Sequence, residues 1–135
     1  MADILQLEIV TPEKMVVKTS AEEVQIPGQD GYLGVLPGHA PLITELAAGD
    51  MTYRIGADTK HFAVASGFAE VLPDRIIVLA ESAERPAEID VERARESKKR
   101  AEKLLASGDP QVDYPRAVRA VRRAEARIAV ASEKN

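Results

Sequence analysis

Glu84-Arg85-Pro86-Ala87-Glu88-Ile89-Asp90-Val91-Glu92-Arg93-Ala94 separates two kinds of sequence. Before it, apolar residues alternate in short runs broken by Gly and Pro. After it, apolar residues recur at helical spacing among Ala, Arg, Glu and Lys. The stretch is a joint, and it predicts two dissimilar domains, residues 1–84 and residues 85–135.

Upstream of the joint, Leu5, Leu7 and Ile9 alternate with Gln6 and Glu8, the period of a half-buried strand. Val24 and Ile26 repeat the pattern, and Pro27-Gly28-Gln29-Asp30-Gly31 ends it with turn chemistry. Met15 to Val17, Tyr32 to Leu36, Leu42 to Leu46, Met51 to Ile55, His61 to Ala65, Phe68 to Leu72 and Arg75 to Ala80 complete the series. About nine or ten short strands separated by turns predict an all-β sandwich.

Downstream, Asp90 is placed to cap a helix that runs to about Ala106, where Ser107-Gly108-Asp109-Pro110 stops it. A second helix starts near Asp113, with Pro115 tolerated in its first turn. Ala117, Val121, Ala124 and Ile128 share one face of it, and Val91, Ala94, Ala101 and Leu105 share one face of the first. A short link between such faces predicts an antiparallel helical hairpin. Burying a Leu or Val contributes about 1.5–3 kcal/mol and an Ala much less. A seam made mostly of Ala therefore predicts helices that hold each other, and the sandwich, weakly. The hairpin should move.

Charge follows the same division. Residues 1–84 carry 5 Lys/Arg and 13 Asp/Glu, and residues 85–135 carry 13 and 9, so a body of −8 bears a tail of +4. With no Cys, there is neither a disulfide nor a thiolate site, and His39 and His61 lack metal-ligand spacing. No phosphate loop, nucleophile elbow or paired acid–base constellation is present, so no catalytic residue is assigned. The negative total and the lack of an aromatic platform argue against nucleic acid. Met1 to Glu8 lacks the features of a signal peptide, and no run approaches the ~18 apolar residues of a membrane span. Membrane association is expected only through a partner, with no direct insertion.

The arginines carry the functional signal. Arg93 and Arg100 share a face of the first helix, and Arg116, Arg123 and Arg127 share a face of the second. Folded together, these guanidiniums would repel one another unless a polyphosphate relieved them through charge-assisted hydrogen bonds. A solvated basic face, with Glu96 paired to Arg100, is the simpler reading of the same pattern. A free-standing ATP-sensing module is the functional alternative that these stripes alone would support.

Gly31-Tyr32-Leu33-Gly34-Val35-Leu36-Pro37-Gly38-His39-Ala40-Pro41-Leu42, then Ser66-Gly67-Phe68-Ala69-Glu70-Val71, then Ile89-Asp90-Val91-Glu92-Arg93-Ala94 occur in that order. With these blocks the chain resembles, over essentially its whole length, the epsilon subunits of bacterial F-type ATP synthases. The resemblance implies a non-catalytic rotor subunit, requiring no cofactor, on the cytoplasmic face of the bacterial inner membrane. Its sandwich would sit on the gamma subunit and touch the c ring through Tyr32, Pro37, Gly38, His39, Ala40, Pro41 and Leu42. Its hairpin would fold on the sandwich or extend towards the alpha and beta subunits, where the basic second helix blocks ATP hydrolysis. Tyr32 stands where many relatives carry Glu.

The resemblance also implies a regulatory ATP site. The pattern Ile89-Asp90-x-x-Arg93-Ala94 matches the motif of ATP-binding relatives, accompanied by Glu84, Arg100, Arg123 and Arg127, with Arg116 near by. Asp90 and Glu84 would accept from the adenosine end or orient arginines, and Arg93, Arg100, Arg123 and Arg127 would neutralise phosphates.

Overall fold

The alternating segments become eight strands in a computed structural model that describes residues 4–135; Met1, Ala2 and Asp3 of the signal-peptide reading lie outside the described residues. They are β1 (Leu5–Val10), β2 (Met15–Ala21), β3 (Glu23–Gly28), β4 (Gly31–Val35), β5 (Leu42–Glu45), β6 (Gly49–Ile55), β7 (Asp58–Val71) and β8 (Arg75–Glu84). The strand order is β2-β1-β8-β7-β6-β3-β4, with β5 on β7 beyond the end of β6. Among the described residues, β1 and β8 form the one parallel pair.

The count is eight because His61–Ala65 and Phe68–Val71 are one strand, β7, bent at Ser66 and Gly67. Both residues have positive φ, 58° and 121°. A side chain at Gly67 would run into the backbone carbonyl of Leu79 on β8, so only Gly lets the strands stay paired through the bend. The bend gives β7 two partners on one edge, β6 along its first half and β5 along its second.

Inward-facing residues from every strand except β5 close the core. Leu5, Leu7, Ile9, Ile26, Met51, Phe62 and Ile76 are all buried. Leu46, just past β5, plugs the side.

The helices are α1 (Val91–Ala106) and α2 (Tyr114–Ala131). Asp90 and Asp113 cap them, each accepting at 3.1 Å from the backbone N–H three residues on. Gly108 takes the left-handed conformation (φ 69°) after α1. Their seam buries Ala94, Ala101, Ala117 and Ala124, whereas Val91, Leu105, Val121 and Ile128 of the expected stripe are half-buried. The helix α2 has a second buried set, Ala126 and Val130, because it also packs on β6 and β7. Among the described residues no helix is long and apolar enough to cross a membrane.

Candidate functional site

A cleft of about 640 Å³ runs between the helices. Small residues, Ala101, Ala117, Ala120 and Ala124, form its floor, and Arg100, Arg116, Arg123 and Arg127 reach over it. The Ala seam therefore opens the space that the arginines surround. Asp109 and Asp113 line the turn end beside Arg116, so charge is mixed there, whereas Arg123 and Arg127 make the cleft basic towards the sandwich. Arg100 donates to Ser97 Oγ at 3.1 Å, and no Glu96 ion pair forms among the described residues.

Arg127 is the arginine with a carboxylate partner in the cleft. Its Nε donates to Glu84 Oε1 at 2.6 Å, tying α2 to the end of β8. Four of the proposed site residues, Arg100, Arg116, Arg123 and Arg127, thus share the cleft, and Glu84 joins them through Arg127. Ile89, Asp90 and Arg93 do not line it. Asp90 Oδ1 is engaged by the Arg93 N–H as the helix cap, while the Arg93 side chain is exposed.

The joint is anchored by a residue that sequence reasoning passed over. Arg85 donates from Nη2 to Val16 O at 3.0 Å, and its guanidinium carbon lies 5.2 Å from the centroid of the Phe62 ring. Its N–H donates to Glu88 Oε1 at 2.8 Å, closing the short 3-10 turn Pro86–Glu88. That turn packs against α2. Ile89 and Asp90, both extended, link this turn to α1.

At the other predicted surface, Tyr32 is 62% exposed, yet its hydroxyl accepts from the Asp50 N–H at 3.1 Å. The ring leans across Gly49, where a Cβ would meet the Tyr32 hydroxyl at 2.8 Å. The Pro37–Pro41 loop is pinned by the Gly38 N–H to Pro73 O at 2.7 Å, and His39 Nδ1 lies 2.6 Å from Ala40 O. Leu42 tucks partly onto the core at the start of β5.

The loop borders an apolar stripe invisible in the linear sequence. Strand register places Phe68 beside Leu79, Leu79 beside Val10, and Val10 beside Met15. Phe68 and Leu79 are each 55% exposed, and Ile43 in the next row is 71% exposed. A hollow of about 300 Å³ lies at the Val10, Pro12 and Leu79 end. Solvent-facing apolar rows of this kind mark protein contact surfaces.

Two family models divide the chain: the beta-sandwich domain of the ATP synthase Delta/Epsilon chain matches residues 4–86, and its long alpha-helix domain matches residues 87–132. The chain belongs to this family. An ATP synthase epsilon chain from Koribacter versatilis is 61% identical over 82% of this chain and 78% of its own length. That of Solibacter usitatus is 46% identical over 99% and 100%. The fold is shared with a chain of the Euglena gracilis mitochondrial ATP synthase, solved with OSCP, F1 and the c-ring (TM-score 0.84, 21% identity, 96% of this chain and 82% of that one). A chain of the Tetrahymena thermophila mitochondrial ATP synthase central stalk and c-ring is more distant (TM-score 0.57, 12% identity, 95% and 93%).

As a member of the epsilon family the chain is a non-catalytic subunit of an ATP synthase.

Proposed function

We propose that this subunit rides on the central stalk, docking through the apolar stripe and the Leu36–Leu42 loop on the gamma subunit. The Tyr32 turn faces the c ring, and this assembly holds the protein on the cytoplasmic face of the bacterial inner membrane. The hairpin alternates between the folded position and one extended along gamma, where basic α2 meets the alpha and beta subunits and blocks ATP hydrolysis. In this way the protein both couples proton flow to synthesis and restrains the reverse reaction.

ATP is the regulatory ligand of the folded state. Arg100, Arg123 and Arg127 along the alanine-lined cleft carry this reading, because guanidiniums bind polyphosphate through charge-assisted hydrogen bonds. The phosphates lie among these three, while Arg116, one turn from Asp113, stays at the turn end. Glu84 orients Arg127, while Ile89, Asp90 and Arg93 at the joint receive the adenosine end as the link adjusts. A ligand that binds the folded hairpin alone stabilises it by RT ln(1 + [L]/Kd). Millimolar ATP is expected to raise the melting temperature of the hairpin, and Arg123→Ala to abolish the rise. No rise in the parent protein would remove ATP from the proposal. The stalk assignment has its own test: purified gamma with the c ring should retain the protein, and Leu79→Glu should release it.

A further inference from the structure

A second cluster lies at the far end of α2, outside the cleft. The His61 ring, on β7, is held between two carboxylates. Its Nδ1 is 2.8 Å from Asp50 Oδ2 on β6, and its Nε2 is 3.5 Å from Glu133 Oε2, just beyond α2. Asn135 clamps the same residue through its backbone: the His61 N–H donates to Asn135 Oδ1 at 2.8 Å, and Asn135 Nδ2 donates to His61 O at 2.9 Å. The end of the hairpin is thus fastened to the sandwich through one histidine.

The chemistry of the ring decides what this fastening responds to. A neutral imidazole has one N–H and one lone pair, whereas the imidazolium donates from both nitrogens. If a neutral His61 donates to Asp50, its lone pair faces Glu133, and the reverse tautomer faces Asp50 instead. Only the charged ring satisfies both carboxylates. We propose that His61 is a proton-dependent clasp, holding the end of α2 on the sandwich when charged and loosening it when neutral.

The surroundings leave that role to His61. Thr52, opposite it on β6, is uncharged. Arg54, further along that face, is engaged by Glu22 and Glu23 at 3.5 and 3.8 Å. On β7 itself, Lys60 and Phe62 point to the other side of the sheet. From the hairpin, Arg127 is taken by Glu84, and Lys134 makes no ion pair among the described residues. Burial pushes the Asp50 carboxyl above its ordinary value, against the opposing pull of His61, and nearby Glu133 adds to the rise.

The absence of Cys allows a clean test on the full-length chain without nucleotide. Spin labels at Ala57→Cys and Ala129→Cys, both exposed positions, report the distance between the β6–β7 turn and α2. Between pH 6 and pH 8.5 the ratio of docked to undocked hairpin should fall about tenfold, within the usual range of couplings between linked equilibria. In His61→Gln the fall should vanish. In Glu133→Gln, which changes an exposed residue and leaves the sandwich intact, it should shrink below about twofold. A hairpin that undocks with no pH dependence, or a full tenfold fall that persists in Glu133→Gln, overturns the clasp. A hairpin docked at every pH in all variants overturns the clasp and the mobility together.

Discussion

Inside the sandwich the chain buries Phe62, Met51, Val64 and Ile76; in the seam of the hairpin it buries Ala94, Ala101, Ala117 and Ala124. Each large side chain removes far more apolar surface from water than an alanine methyl does. The sandwich is therefore held by its own interior. The hairpin relies on helix propensity, on its two Asp caps, on the small apolar contact of Ala126 and Val130 with β6 and β7, and on polar fastenings at the joint, at Glu84–Arg127 and at His61. Polar fastenings respond to ligands, charge and pH, and an aliphatic interior does not. The same chain thus joins a sandwich held by its interior to a hairpin held in part by polar contacts.

The largest expected effect breaks the sandwich. Phe62→Ala should cost about 3–5 kcal/mol, read as a drop in the denaturant midpoint of the sandwich. A cost under 1 kcal/mol would mean that the sandwich too is loosely held. Next, Gly67→Ala should destabilise the sandwich by more than about 1 kcal/mol, because the new methyl meets the Leu79 carbonyl and the backbone has positive φ. Asp90→Ala should remove about 1 kcal/mol from α1 alone. Amide exchange in the hairpin should quicken while the unfolding midpoint of the sandwich stays in place; a shared loss would deny that the two regions are separate.

The smallest effect is pH-dependent. The Asp50 carboxyl is raised in the folded protein, so its favourable contribution is present at acid pH and is lost as pH rises through its folded value. Asp50→Asn abolishes that loss. Its melting temperature relative to the parent should therefore improve from pH 3 to pH 7, and a relative decline over that window would contradict the burial argument.

The two regions were unequally legible in the sequence. Alternation located the strands, and Asp90, Asp113 and Gly108 marked the helix ends, because these signals are local. The merger of two segments into β7 was hidden because Ser66-Gly67 reads as a turn, and pairing with β8 carries the strand through it. Helical spacing placed Arg100, Arg116, Arg123 and Arg127 beside the seam, but it placed Arg93 with Arg100, and Arg93 lies outside the cleft. The His61–Glu133 contact and the Phe68–Leu79–Val10–Met15 row join residues distant along the chain, so no local period encodes them. Nor did spacing reveal the second buried face of α2, since Ala126 and Val130 acquire their role only when β6 and β7 lie beneath them.

Arg85 has a mechanical consequence. With its guanidinium over Phe62 and its Nη2 on Val16, the joint is seated against the sandwich, and Phe62 in turn stacks on Tyr53 with centroids 6.0 Å apart. The chain therefore leaves the sandwich from a fixed seat: only Ile89 and Asp90 separate the turn that Arg85 closes from the first residue of α1.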